Sequence, residues 1–151
     1  MDKNSLYEKD FYAWTQWHIQ ALSNRTAAEL DWENLQKELE SLGKQEYREL
    51  VSRLAVLLGH LLKWESQPES RCRSWFLTIR EQRRAVRRHL KRNPSLGSLC
   101  QDALEDGFEG GVDLALRETQ LPLRVFPEKC PYRFEEILND HFYCDTSKDW
   151  E

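Results

Sequence analysis

Two groups of residues have the types and spacing for chemistry. The first is the stretch "RSWFLTIREQRRAVRRHLKR" from Arg73 to Arg92. Wound as a helix at about 100° per residue, it gathers Arg73, Arg80, Arg84, Arg87 and Lys91 into one narrow arc, while Trp75, Phe76, Ile79, Val86 and Leu90 form a separate apolar face. Such a rail would neutralise several phosphates and bind a polyanion in a salt-dependent way. The second group is a polar cluster of Glu46, Glu49, Arg53 and His60, on the same flank of a helix as Trp64, with Gln82 close to the apolar arc of the arginine-rich helix. Glu49 and Arg53 stand at ion-pair spacing. An imidazole, whose ordinary pKa is about 6.5, would serve as acid, base or metal ligand.

Each group has a structural explanation beside the functional one. Asp102, Asp106, Glu109 and Asp113 also fall in one arc of the next helix, which a short turn makes an antiparallel neighbour, so the two charged stripes could neutralise each other. His60 could hydrogen-bond between helices in a buried polar network, with Gln82 donating to another. Arg53 and His60, in "RLAVLLGH", also fit the loose arginine-then-histidine spacing of a class of helical ribonucleases. "RAVRRH", from Arg84 to His89, fits it equally, and two matches in so arginine-rich a chain reduce its weight. Arg53 and His60 are therefore candidates for catalysis without being assigned to it.

Composition bounds the alternatives. With 151 residues, 40% of them hydrophobic, one well-buried core is the expectation. Net charge is −4, yet Ser70 to Arg92 holds nine Lys or Arg and one acid, so that +8 there stands against −12 elsewhere. The longest apolar run, "LAVLLGHLL", is far short of the roughly 20 residues that span a bilayer. The start, "MDKNSLYEKDFYAW", lacks the basic and apolar regions of a leader, and a cytoplasmic location is expected. Cys72, Cys100, Cys130 and Cys144 show no C-x-x-C spacing and read as reduced thiols. No Glu-x-x-His pair, phosphate-binding glycine loop or nucleophile elbow occurs, so neither a metal nor a cofactor is assigned.

The elements that must position these residues are helical. Phe11, Trp14, Trp17 and Leu22 mark a first helix from Leu6 to Leu22. "TAAE" has capping-box spacing, and Asp31 caps a long second helix with two apolar seams, Leu35, Leu39, Leu42 and then Tyr47, Leu50, Leu54, Leu57, Leu61, Trp64. Gly43, between the seams, is expected to bend or break it. Pro68 ends it, Ser70 caps the arginine-rich third helix, and "NPSLGS" turns the chain. A fourth helix covers about Ser98 to Glu118, where Gly107 and Gly111 permit a close neighbour. A proline-rich link leads to a short helix from about Tyr132 to Asn139. Trp14, Trp17, Trp32, Trp64 and Trp75 are expected mostly in the core.

The stretches "YEKDFYAWTQW", "ELDWENLQKELESLG", "HLLKWESQPESRCRSWFLTIREQRR" and "LPLRVFPEKCPY" together resemble a bacterial family, abundant in cyanobacteria, known as domain-of-unknown-function family 29. The likeness covers about Leu6 to Phe142. It implies a compact all-helical domain and brings no activity, substrate or cofactor with it.

The expectation is an all-α fold, an antiparallel four-helix bundle with a short C-terminal helix. It would form a single domain over residues 6–142, with flexible termini at 1–5 and 143–151. Charged stripes and aromatic faces without a catalytic constellation point to a non-enzymatic interaction or regulatory module. Its partner would be an unknown protein or a second copy, and not a membrane. The alternative is a nucleic-acid-binding protein or helical ribonuclease using the basic third helix.

Overall fold

A computed structural model describes residues 3–142. They form α1 (Lys3–Lys9), α2 (Phe11–Ser23), α3 (Trp32–Ser66), α4 (Arg73–Arg92), α5 (Cys100–Thr119) and α6 (Phe134–Leu138), joined by short 3₁₀ turns, with no strand among the described residues. Of the termini expected to be flexible, residues 3–5 lie in α1, whereas residues 1–2 and 143–151, Cys144 included, lie outside the described residues. Cys72, Cys100 and Cys130 are free thiols. No helix among the described residues is long and apolar enough to cross a membrane. The chain forms two compact units, Met1–Gln45 and Glu46–Glu151.

In the first unit, the helix expected from Leu6 to Leu22 is in fact two. Asp10 leaves the helical region (φ −149°, ψ 85°), and its carboxylate accepts a hydrogen bond from the Ala13 amide at 2.9 Å, capping α2. Trp14, His18 and Ala21 are buried together with Leu30 and Asp31. His18 Nδ1 donates to the Trp14 carbonyl and Nε2 accepts from the Asp31 amide, each at 2.9 Å, which fixes a single tautomer. Asp31 caps α3 as expected, accepting from the Asn34 amide at 3.4 Å. "TAAE" forms a 3₁₀ turn over Ala27–Glu29, but the Thr26 side chain makes no capping bond.

The expected break at Gly43 does not occur: α3 runs unbroken through it for 35 residues. A Cβ there would meet nothing within 4 Å, so this glycine is an open helix position that costs about 1 kcal/mol of propensity and serves no close packing.

The second unit is built on the later seam of α3. Leu50, Leu54, Leu57, Leu58, Leu61, Leu62 and Trp64 are all buried. α4 runs antiparallel to this half of α3, since His89 lies beside Glu46 near one end and Trp75 beside Lys63 near the other. α5 runs parallel to it, with Gly107 against Val51, Gly111 against Leu58 and Glu118 against Lys63. Ser70 does not cap α4. It closes a 3₁₀ turn, Pro68–Ser70, and Cys72 takes the cap position without a side-chain bond. α6 is shorter than the sequence suggests. Arg83 is buried at 2% exposure and donates to the carbonyls of Ile137 and Phe142 at 2.8 Å and of Asp140 at 3.4 Å, tying the C-terminal segment to α4.

Two expectations about apolar residues need correction. Of the five tryptophans expected mostly in the core, Trp14 and Trp64 are buried, Trp75 is half-buried, and Trp17 and Trp32 are exposed. Leu39 and Leu42, assigned to a seam, are exposed as well.

Candidate functional site

α4 divides its arginines between core and solvent. Its apolar side, Phe76, Ile79, Ala85 and Val86, packs into the second unit and carries Arg83 inward with it. Arg73, Arg80, Arg84, Arg87 and Lys91 all point to solvent. Arg87 is engaged, donating to the Leu138 carbonyl and pairing with Asp140 at 2.9 Å. Arg80 and Arg84 instead line a shallow depression of about 290 Å³ with Leu77, Glu81 and Arg88. Among the described residues, no ion pair involves Arg80, Arg84 or Arg88. Arg88 completes a ladder with a step of four residues. That step was the signal in the sequence, hidden there because Arg87 occupied the arc.

The acidic stripe of α5 does not cover these arginines with any ion pair among the described residues. Asp106 accepts a 2.5 Å hydrogen bond from the Tyr47 hydroxyl, and this bond, with burial and the carboxylate's charge adding to it, pushes the phenol pKa up to about 12. Glu109 and Asp113 face another way, into an open groove of about 1160 Å³ whose other wall includes Leu123, Arg124 and Lys129. Asp102 is exposed.

The polar cluster on α3 splits into two parts. Glu49 accepts from Arg53 Nε at 3.1 Å and from its Nη2 at 3.0 Å, both on Oε1. His60 lies two turns on, about 10 Å along the axis. It is buried and donates from Nδ1 to the Val56 carbonyl at 2.9 Å. Burial pushes its pKa below the ordinary histidine value, with the Lys63 charge acting in the same sense and the Val56 bond and Glu118 opposing. Lys63 bridges to Glu118 at 2.8 Å and sits 4.4 Å from the Trp75 ring centroid, and its hydrogen bond holds the Glu118 carboxyl below its usual range. Gln82 places a buried Oε1 that has no hydrogen-bond partner among the described residues.

The partner that Glu46 and Glu49 meet is a different histidine. His89 of α4 is 7% exposed; its Nε2 lies 2.8 Å from the Glu46 carbonyl and 3.6 Å from Glu46 Oε2, and its Nδ1 lies 3.6 Å from Glu49 Oε2. Asn93 Nδ2 donates to Glu46 Oε2 at 3.2 Å. One donor atom from each of Glu46, Glu49 and His89 lies within 4.8 Å of the other two. In the sequence His89 stands only as the end of the second arginine-then-histidine match. Its step of three from Val86 and ten from Ile79 was the signal that it faces inward.

A third surface lies on the first unit. Trp32, Leu39 and Leu42 are 64%, 68% and 56% exposed, and with half-buried Leu35 they recur in α3 at steps of three, four and three. On α2, Tyr12, Ile19 and Leu22 are likewise exposed along one arc.

The family model for the domain of unknown function DUF29 matches residues 6–143. The chain belongs to the DUF29 family. No curated protein and no solved structure matches it. Membership in DUF29 supplies no activity, so any function must be sought in the surfaces of this DUF29 chain.

Proposed function

We propose that this DUF29 chain is a non-enzymatic interaction module that docks helices of a protein partner, in the first instance a second copy of itself. The observation that carries the reading is the exposed seam of Trp32, Leu39 and Leu42. Its steps are those of a coiled-coil seam, in which apolar residues meet a facing helix, and a soluble surface rarely leaves large apolar residues contiguous without use. For the scaffold we retain, as part of the proposal, the antiparallel four-helix bundle with a short C-terminal helix; the alternating directions of α3, α4 and α5 support it. Sedimentation equilibrium of the full chain tests the docking. A concentration-dependent dimer is expected, abolished by L39E with L42E; a wild-type chain monomeric at every concentration sinks the self-association.

A second reading, polyanion binding on α4, is favoured by the unpaired ladder Arg80, Arg84 and Arg88. Like charges this close repel, and an anionic backbone would relieve them with counterion release. A salt titration with RNA and DNA tests it, with R80Q, R84Q and R88Q expected to weaken binding together and to flatten the salt slope. The cleavage variant of that reading has less support, because Arg53 is held by Glu49 and His60 by a main-chain carbonyl.

A further inference from the structure

We propose that Glu46, Glu49 and His89 form a site for a divalent transition metal, zinc being the ion that best suits its donors. The His89 ring is held in place from its Nε2 side. A main-chain carbonyl can only accept, so in the 2.8 Å contact between Nε2 and the Glu46 carbonyl, Nε2 is the donor. Nδ1 is left facing Glu49 as the ring atom an ion would take. It belongs to a side chain that is 6% exposed, and it makes no hydrogen bond among the described residues, the nearest acid oxygen being Glu49 Oε2 at 3.6 Å. A cation between Nδ1 and Glu49 Oε2 would take the place of a proton there and attract both donor atoms.

The spacing suits an ion. With ligand bonds of about 2.1 Å, neighbouring ligands of a tetrahedral zinc stand about 3.4 Å apart. The Nδ1 to Oε2 gap of 3.6 Å already has that length. One donor atom of each residue lies within 4.8 Å of the others, and Glu46 Oε2 now stands 3.6 Å from Nε2, so closing the site needs the part-exposed Glu46 carboxylate to rotate toward Nδ1 by roughly 1–2 Å.

Each ligand is also oriented from behind. Arg53 occupies Oε1 of Glu49 and leaves Oε2 to face the histidine. Asn93 holds Glu46 at Oε2. The Glu46 carbonyl holds the far nitrogen of His89, the arrangement by which proteins fix the tautomer of a metal-binding imidazole. One imidazole and two carboxylates favour zinc or a neighbouring transition ion over magnesium or calcium, which prefer all-oxygen shells. Three protein ligands leave at least one position for water or an external donor.

The test is calorimetric titration of the chelator-treated full chain with zinc chloride alone, alongside magnesium chloride, at neutral pH. One zinc per chain is expected, with no magnesium heat. Glu49→Gln, at an exposed position where the fold is kept, is expected to abolish zinc binding, and Asn93→Ala to weaken it by roughly tenfold or more. His60→Gln is expected to leave it unchanged. Nitrogen chemical shifts of His89 supply a readout independent of stability: zinc should move Nδ1 and leave Nε2 protonated. Absence of zinc binding, or binding that survives Glu49→Gln, overturns the proposal, as does a His89 carrying protons on both nitrogens in zinc-saturated protein.

Discussion

Gly111 of α5 lies so close to α3 that a Cβ on it would stand 2.9 Å from the Cβ of Leu58. The Ala55 carbonyl oxygen, at 3.1 Å, and the Gly59 nitrogen, at 3.2 Å, are backbone atoms that cannot swing aside. Gly111→Ala is expected to destabilise the chain by roughly 1–3 kcal/mol in urea unfolding, the usual cost of overpacking. Gly43→Ala, where nothing lies within 4 Å, is expected to stabilise by up to about 1 kcal/mol. Equal effects at the two glycines would refute this account of the contact.

Acid should weaken the fold through His60. Its pKa is lower in the folded chain than in the unfolded one, chiefly because burial opposes its charge. The unfolded state therefore binds the proton more readily, so this contribution to stability is complete above the ordinary value of about 6.5 and is lost as pH falls below it toward the folded value. His60→Gln is expected to flatten the stability-versus-pH curve just below neutrality. Glu118, held below its usual range by Lys63, adds a separate loss at lower pH, which Lys63→Met should remove.

Removing the guanidinium of Arg83 should loosen the C-terminal segment. Arg83→Met would leave the carbonyls of Ile137, Asp140 and Phe142 without this donor, at a cost of about 3 kcal/mol. Limited proteolysis should then cut near residues 138–142 faster, while Arg84→Met, at an exposed neighbour, should change neither stability nor cleavage.

In the first unit, His18 bridges α2 to the start of α3 by accepting from the Asp31 amide. His18→Ala should cost about 2 kcal/mol, and hydrogen exchange at Asp31 should accelerate more than at amides in the middle of α2. Uniform acceleration across the unit would instead indicate a general loss of packing.

The helices were largely legible because long apolar periods dominate them. Leu50, Leu54, Leu57, Leu61 and Trp64 repeat at helical steps, and all are buried. The break at Asp10 was not legible, because a single aspartate inside a helical pattern reads as one more outward polar position until its φ is known. The same periodicity misled at Leu39 and Leu42: it shows that residues share a face, not that anything covers the face. Candidate residues fared by their location. Exposed Arg80 and Arg84 were visible from the wheel, whereas His89 holds a core position by register and a polar role by chemistry, and a reading by residue type separates the two. The pairing of Glu46 with His89 joins residues 43 positions apart, and no local pattern encodes it.

Arg83 also sets an order of events during synthesis. The ribosome delivers α4 long before residues 137–142, so the emerging chain holds a cation on the inward face of a helix while the carbonyls that will receive it are still unmade. Until they arrive, that face cannot settle without burying an unsolvated charge. Completion of the second unit therefore waits for residues 137–142, whose carbonyls receive that charge.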